Sequence, residues 1–382
     1  MPLIPVNRDE IVPGRPLPWS AYNKHGRLLL RKGYVIETRR QLDALIERGI
    51  FHLSHDEFTA RQARLEAEAM KNTPFGIIER LRERLAGLFE RDHFTRDFVI
   101  EIVSIGRELQ RACAIDEDAA LATLFVMREG RYTVVHPVDT AVFCEVVMKY
   151  MPWAEQARLP VLAACLTMNL GMNELQEELY VQRGLPSAEQ RKAIMEHPRV
   201  SHRLLEEAGV ASTVWLDAVL CHHEHLDGSG YPDGLSGDRI PISARILSAG
   251  DLYCAKVAGR GYRRGIPPDR AMREIYLAGG RRFEEKIAAT AVKRMGVYPP
   301  GLFVRLENGE VGVVTRRGDK AHCPVVAAVV DPVGAPYDEP RMRDTEKEGF
   351  AVSRVASRLD ARTDFDLRVL WGPNAASASL NR

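Results

Sequence analysis

The stretch His222-His223-Glu224-His225-Leu226-Asp227-Gly228-Ser229-Gly230-Tyr231-Pro232-Asp233-Gly234-Leu235 puts three imidazoles and two carboxylates within six residues, then runs into a turn rich in Gly and Pro. Neutral imidazole and carboxylate are the side chains that hold catalytic divalent metals, so the stretch reads first as part of a metal site. Adjacent histidines alone are weak evidence, because successive helix positions point about 100° apart. Spaced partners strengthen the reading. His136 follows Tyr132-Thr133-Val134-Val135 and opens an apolar helix, His197 sits in Met195-Glu196-His197-Pro198, and Asp251 lies in the largely apolar run Ile246 to Val257. A carboxylate in such a run needs a cation or a hydrogen-bond donor. The plainer reading makes Asp251 a helix cap after Gly250 and each His a satisfied core or surface residue. Five such residues together favour a shared ion.

Composition bounds the rest. At 382 residues the chain is long enough for two or three units. With 53 basic against 52 acidic residues, the formal net charge is +1, which argues against an extended nucleic-acid-binding surface. The longest apolar run, Ala119 to Met127, reaches at most half the length of a membrane span. The first ten residues lack the basic start and apolar stretch of a secretion signal. The six cysteines are scattered without a CxxC pair, and Cys113, Cys144 and Cys165 read as buried free thiols of a soluble cytoplasmic protein.

The pattern along the chain is mainly α. Residues 1–55 read as a small α/β unit, with two strands about the turn in Ala21 to Leu30 and a helix capped by Thr38 that ends at Gly49. His25, His52 and His55 are isolated there from carboxylate partners. Residues 56–74 form a charged linker helix. Residues 75–295 are helical throughout: Ile77, Ile78, Leu81, Leu85 and Leu88 recur at helical spacing, as do Phe98, Val99, Ile102, Ile105 and Leu109. Ser187 to Gln190 is a capping box that opens the helix of His197, and Gly209 is expected to stop the helix that succeeds it. Residues 296–382 turn to strands. Phe303 to Val314 is a hairpin about a two-residue type I′ turn at Asn308-Gly309, Val325 to Val330 and Phe365 to Leu370 are further strands, and Pro340 to Gly349 is a loop.

From about residue 130 to 265 the chain resembles the HD-GYP domain family of cyclic-di-GMP phosphodiesterases. His136, His197, the pair His222 and His223, and Asp251 match the family's metal ligands, and Gly230-Tyr231-Pro232 is its GYP triplet. The resemblance implies a helical bundle and a site holding iron or manganese. It places Tyr231 near the guanine or phosphate of cyclic-di-GMP, and it implies that Arg260, Tyr262 and Arg263 meet substrate phosphates. The exposed GYP loop would meet a protein partner. Glu224 and Asp227 are expected to orient the His ligands from behind, while His225 is expected at the surface.

The chain departs from the family at one place. Where the family carries an HD-x-GK segment, Cys165-Leu166-Thr167-Met168-Asn169-Leu170-Gly171-Met172 aligns, so the dyad positions hold Met168 and Asn169, and Met172 replaces the Lys. A neutral Asn carbonyl is a poor bridge between two cations, and a thioether is too soft for iron, manganese or magnesium. Without the bridge, the resemblance leaves one ion only His136 and Asp251, too few, and leaves the other His197, His222 and His223, a set able to hold one divalent ion. Three readings follow: a degenerate protein that binds cyclic-di-GMP or a partner, an active phosphodiesterase with a reduced metal site, and a pure interaction scaffold. The loss at Met168, Asn169 and Met172 favours the first and third, while the retained His136, His197, His222, His223 and Asp251 favour the first two, so the first is the expected reading.

Overall fold

Thr73 opens the first long helix by accepting a hydrogen bond from the Gly76 amide at 3.2 Å, with Pro74 at the position where a missing N–H costs nothing. The computed structural model describes residues 3–24, 28–47, 50–53, 72–91, 93–258, 265–357 and 367–374. The linker 56–71, His25, Gly49, His55, and the stretch of Arg260, Tyr262 and Arg263 therefore lie outside the described residues. By packing, the chain divides into residues 1–69 and 70–382.

The smaller unit contains β1 (Leu3–Pro5), β2 (Ala21–Tyr22), β3 (Leu28–Leu30), α1 (Arg39–Glu47) and β4 (Phe51–Leu53), with antiparallel pairing in the order β1-β4-β2-β3. Thr38 caps α1 by accepting from the Gln41 amide at 3.2 Å. Val6, Ile11, Leu17, Ile36, Leu42 and Ile50 form its core. His52 is not isolated as expected: Glu10 lies 3.5 Å from it and Trp19 stacks on its ring.

The larger unit begins with α2 (Pro74–Phe89), α3 (Arg96–Ile115), α4 (Glu117–Val126), α5 (Tyr132–Met148), α6 (Glu155–Thr167), α7 (Asn173–Val181), α8 (Ala188–Glu207) and α9 (Thr213–Cys221). It continues with α10 (Ile242–Ala258), α11 (Pro268–Ala278) and α12 (Glu285–Met295). Helices α5 and α6 are buried almost all round, which is why their sequences lack a polar stripe. They lie at the centre of one continuous core that takes in Phe143, Val146, Leu162, Ile246 and Tyr253. Among the described residues, no helix is long and apolar enough to cross a membrane.

Five antiparallel strands follow in the order β8-β7-β6-β5-β9: β5 (Phe303–Leu306), β6 (Val311–Arg316), β7 (Val325–Val330), β8 (Pro336–Asp344) and β9 (Val352–Val355). Phe303, Val311 and Val313 pack with Phe75, Ala119 and Ala122, so the sheet lies directly on the helices. Arg317 adds an ion pair to Glu117 at 2.6 Å.

Three details differ from the sequence reading. The β5–β6 hairpin closes by a three-residue loop, with Leu306 N donating to Glu310 O at 2.9 Å and Gly309 at φ +93°, rather than by a two-residue turn. Residues 336–344 are an edge strand, because β7 pairs with them along its open side while their charged side chains face solvent. Leu367–Asn374 is a 3-10 turn, not a strand: Trp371 anchors it, 2% exposed and 5.4 Å from the Phe75 ring.

Candidate metal centre

The capping box on Ser187 and Gln190 starts α8 and sets the phase that brings His197 inward. His222 is the first residue past α9, and His223 follows it. His197 Nδ1 donates to the Ile194 carbonyl at 2.6 Å, and His222 Nδ1 donates to the Val219 carbonyl at 2.7 Å. A carbonyl only accepts, so both rings carry their proton on Nδ1 and leave Nε2 as a bare lone pair.

Those two Nε2 atoms face each other at 3.3 Å. Two lone pairs cannot hydrogen-bond. Two nitrogens each about 2.1 Å from one ion, at an angle of about 100°, would lie about 3.2 Å apart. His223 stands edge-on to His197, its ring centroid 5.1 Å away, and one ligand atom from each of the three rings falls within 4.8 Å of the others. Burial lowers the pKa of His222, and burial followed by the His222 ring pushes His223 well below the usual histidine range. His222 and His223 are therefore in the neutral form that binds a metal. His197 and His222 are buried, while His223 is half-buried and leaves one side of the cluster open.

His136 and Asp251 form a second group. Asp251 sits inside α10, not at its start, so the cap reading fails. Its carboxylate lies 2.9 Å from His136 Nε2. Burial pushes this carboxyl up, but the hydrogen bond from His136 works against burial, and the carboxyl is held below the usual carboxylate range. The Tyr132 ring stacks on His136 at 5.0 Å.

The two groups differ in fitness for an ion. A metal-bound His normally donates its other N–H to a carbonyl or carboxylate, as His197 and His222 do here. His136 Nδ1 is buried without a hydrogen-bond partner among the described residues. An ion on His136 Nε2 would strand a buried Nδ1–H and displace the hydrogen bond to Asp251. The set His197, His222 and His223 fits one divalent ion; the pair His136 and Asp251 does not complete a second.

Met168 and Asn169, 0% and 3% exposed, follow α6 and lead into a 3-10 turn at Leu170–Met172. That turn packs on the helix of His197. Gly171 N donates to Ser201 Oγ at 2.9 Å, and a Cβ on Gly171 would stand 2.8 Å from the His197 carbonyl. Only glycine allows this approach.

The GYP segment is fixed by its own polar groups. Glu224, 1% exposed, accepts from the Asp233 amide at 2.6 Å and the Leu235 amide at 2.9 Å. Asp227 accepts from both the amide and the hydroxyl of Ser229. Neither carboxylate reaches a His ligand, so the expectation that they orient the imidazoles is corrected: they close the loop on itself, because its folded amides are nearer. A Cβ on Gly230 would lie 2.5 Å from His223 O, Glu224 Cα and His225 N, which accounts for glycine there. Tyr231 stacks on His223 with centroids 4.7 Å apart. The Tyr231–Pro232 bond is cis.

Residues 120–287 match the family model described as HD domain. By this match residues 120–287 form an HD domain. It is 27% identical over 197 residues to a cyclic di-GMP phosphodiesterase of Pseudomonas aeruginosa, covering 52% of this chain and 47% of that protein. It is 26% identical over 262 residues to a 3'3'-cGAMP-specific phosphodiesterase of Vibrio cholerae, covering 66% of this chain and 55% of that one. The chain thus spans about half the length of these relatives. A solved HDG"Y"P protein from Bdellovibrio bacteriovorus aligns with a TM-score of 0.48 and 14% identity, over 75% of this chain and 97% of that one.

Two arginines of the HD domain escaped the sequence reading. Arg199, two residues past His197, binds the Pro232 carbonyl at 3.2 Å and the Asp233 carboxylate, tying the ligand helix to the GYP loop. Arg245, 8% exposed, donates to the Ile240 carbonyl at 2.7 Å and pairs with Glu284. Their acidic partners, Asp233 and Glu284, lie more than thirty residues away in sequence, so no local spacing announces them. His225 also departs from expectation: it is half-buried in the wall of a cavity, with Nδ1 3.0 Å from Ser229 Oγ.

Proposed function

We propose that the HD domain binds cyclic-di-GMP beside a single divalent ion, iron or manganese, and works as a receptor that turns the nucleotide over slowly or not at all. The facing Nε2 atoms of His197 and His222, 3.3 Å apart with their tautomers fixed by carbonyls, carry this reading. Such an ion would supply charge to hold a phosphate oxygen. Asn169 offers no charge to bridge a second ion, and His136 is engaged with Asp251. Hydrolysing a phosphodiester with two ions stabilises both the attacking and the leaving oxygen, and with one ion that stabilisation is halved. Tyr231, stacked on His223, links the site to the GYP loop and so to a protein partner.

The half-exposed side of His223 favours a second reading, slow hydrolysis supported by one ion. One experiment separates them. Protein purified without chelator is analysed for metal, titrated with cyclic-di-GMP and with 3'3'-cGAMP, and assayed for linear products. One equivalent of metal and cyclic-di-GMP binding without turnover support the receptor. Two equivalents with rapid hydrolysis defeat it, and tighter binding of 3'3'-cGAMP reassigns the nucleotide.

A further inference from the structure

One cavity in the HD domain has no part in the arrangement above. It encloses about 310 Å³ between the start of the GYP segment, α10, α11 and the turn after α11, with His225, Asp227, Lys256, Glu274, Arg281 and Arg282 among its walls. A volume of that order suits a small organic ligand.

The charges in this wall do not cancel. Lys256 is paired with Glu274, and Arg281 lies 3.5 Å from Asp227. Arg282 is half-buried, and among the described residues it has no ion-pair partner. One guanidinium is left over in a concave site. A cation held partly out of water without a counter-ion is costly, and an anion in the cavity would remove that cost.

The backbone fixes where this charge is presented. The Leu226 amide donates to the Arg282 carbonyl at 3.3 Å, and the Asp227 amide donates to the Arg281 carbonyl at 3.0 Å. The two arginines are thereby stitched to the segment that leaves His223. On the other side, Gly280 N donates to Phe283 O at 2.8 Å and closes the turn, while the fully buried Phe283 anchors it in the core. The guanidinium therefore extends from a braced backbone rather than a free surface loop. A planar guanidinium offers two parallel N–H donors that match two phosphate oxygens, and Lys256 adds a point charge within the same wall.

We propose that this cavity is a binding site for the phosphate of a phosphorylated small molecule, held by Arg282 with Arg281 and Lys256 beside it. The site is distinct from the three-His cluster and does not depend on how that cluster is read. The phosphate has two possible sources, a separate mononucleotide or the far phosphate of a cyclic dinucleotide.

Calorimetric titration of the full chain with pyrophosphate, GMP and cyclic-di-GMP tests this, using wild type, Arg282→Gln, Arg282→Glu and His222→Ala. Pyrophosphate and GMP are expected to bind wild type and, with any contribution of the ion removed, still to bind His222→Ala. They are expected to bind at least 10-fold more weakly to Arg282→Gln, and more weakly still to Arg282→Glu. Melting curves identify a variant that fails to fold, and the glutamine variant keeps the test alive if the glutamate variant does. Equal affinity of wild type and Arg282→Gln for both probes, or no binding to wild type, overturns the proposal. A parallel 10-fold loss for cyclic-di-GMP assigns the dinucleotide as source, whereas unchanged cyclic-di-GMP binding assigns a separate ligand. If cyclic-di-GMP binds nowhere while pyrophosphate still depends on Arg282, the receptor reading falls and this site stands.

Discussion

The Nε2 atoms of His197 and His222 lie 3.3 Å apart, each with its Nδ1 proton already committed to a carbonyl of its own helix. Two neutral rings in that arrangement repel until a cation stands between them. The expected stoichiometry is therefore one divalent ion per chain. His222→Ala should weaken metal affinity by roughly 100-fold or more, since one of three ligands is lost. Saturating metal should raise the melting temperature of wild type, because an ion at about 1,000 times its Kd stabilises by about 4 kcal/mol. Metal analysis and thermal melts of both proteins check this; a chain that carries two ions, or a His222→Ala chain that keeps its ion, contradicts it.

Restoring the missing dyad is a complementary test. Met168 and Asn169 are buried in the segment that packs on the His197 helix, so their side chains can be exchanged without touching the surface. Met168→His with Asn169→Asp adds an imidazole and a carboxylate, the two donors that His136 and Asp251 lack for holding an ion. The double variant is expected to bind a second metal and to hydrolyse cyclic-di-GMP at least 10-fold faster than wild type. Burying two more polar groups should cost stability in the metal-free state, by about 2 kcal/mol or more. Wild-type turnover equal to that of the double variant would show that the natural residues already suffice.

Glu224 holds the GYP loop through the Asp233 and Leu235 amides while itself 1% exposed. Hydrogen bonds to a charged acceptor contribute about 1.5–3 kcal/mol each, and the amides left behind would be partly buried. Glu224→Ala is expected to destabilise the domain by about 2–4 kcal/mol, with Glu224→Gln costing less because one acceptor remains. Hydrogen exchange should rise at residues 231–235 in both variants while α5 and α6 stay protected. Faster exchange across the whole bundle, or none at the loop, would mean that Glu224 is not the clamp.

Most of the fold was legible because its signals are local. Ile77 to Leu88, the Ser187 box and the Asn308-Gly309 hairpin each state their structure within a dozen residues. The edge strand 336–344 was not, because its charges read as a loop until β7 supplies the pairing partner. The candidate site divides the same way. The residue types at His136, His197, His222, His223 and Asp251 are visible in the sequence. Their separation into a trio and a pair already follows from the resemblance once Asn169 removes the bridge; what the sequence hides is where each Nδ1 proton goes, since those acceptors are backbone carbonyls that every residue has. Arg282 was invisible for a related reason: a leftover charge can be recognised only once Lys256 with Glu274 and Arg281 with Asp227 are seen to pair.

The sheet carries its own acid-sensitive lock. Glu310, 2% exposed, accepts from Arg343 Nε at 2.8 Å and Arg343 Nη2 at 2.7 Å and from the Tyr337 hydroxyl at 2.6 Å, bridging β8 to the β5–β6 hairpin. The Arg343 hydrogen bond, against burial and with help from Tyr337 and Asn308, pulls its pKa from 4.5 down to about 2. A carboxyl depressed on folding binds fewer protons folded than unfolded, so its stabilisation is full above pH 4.5 and is lost as pH falls toward 2. Unfolding followed by tryptophan fluorescence, to which Trp371 against Phe75 contributes alongside Trp19, Trp153 and Trp215, should show stability falling through this window. In Glu310→Gln the fall should be shallower, and at neutral pH the variant should be less stable by roughly 1–2 kcal/mol, since the half-buried Arg343 loses its charge partner. Identical acid profiles for the two proteins would place the sensitivity elsewhere.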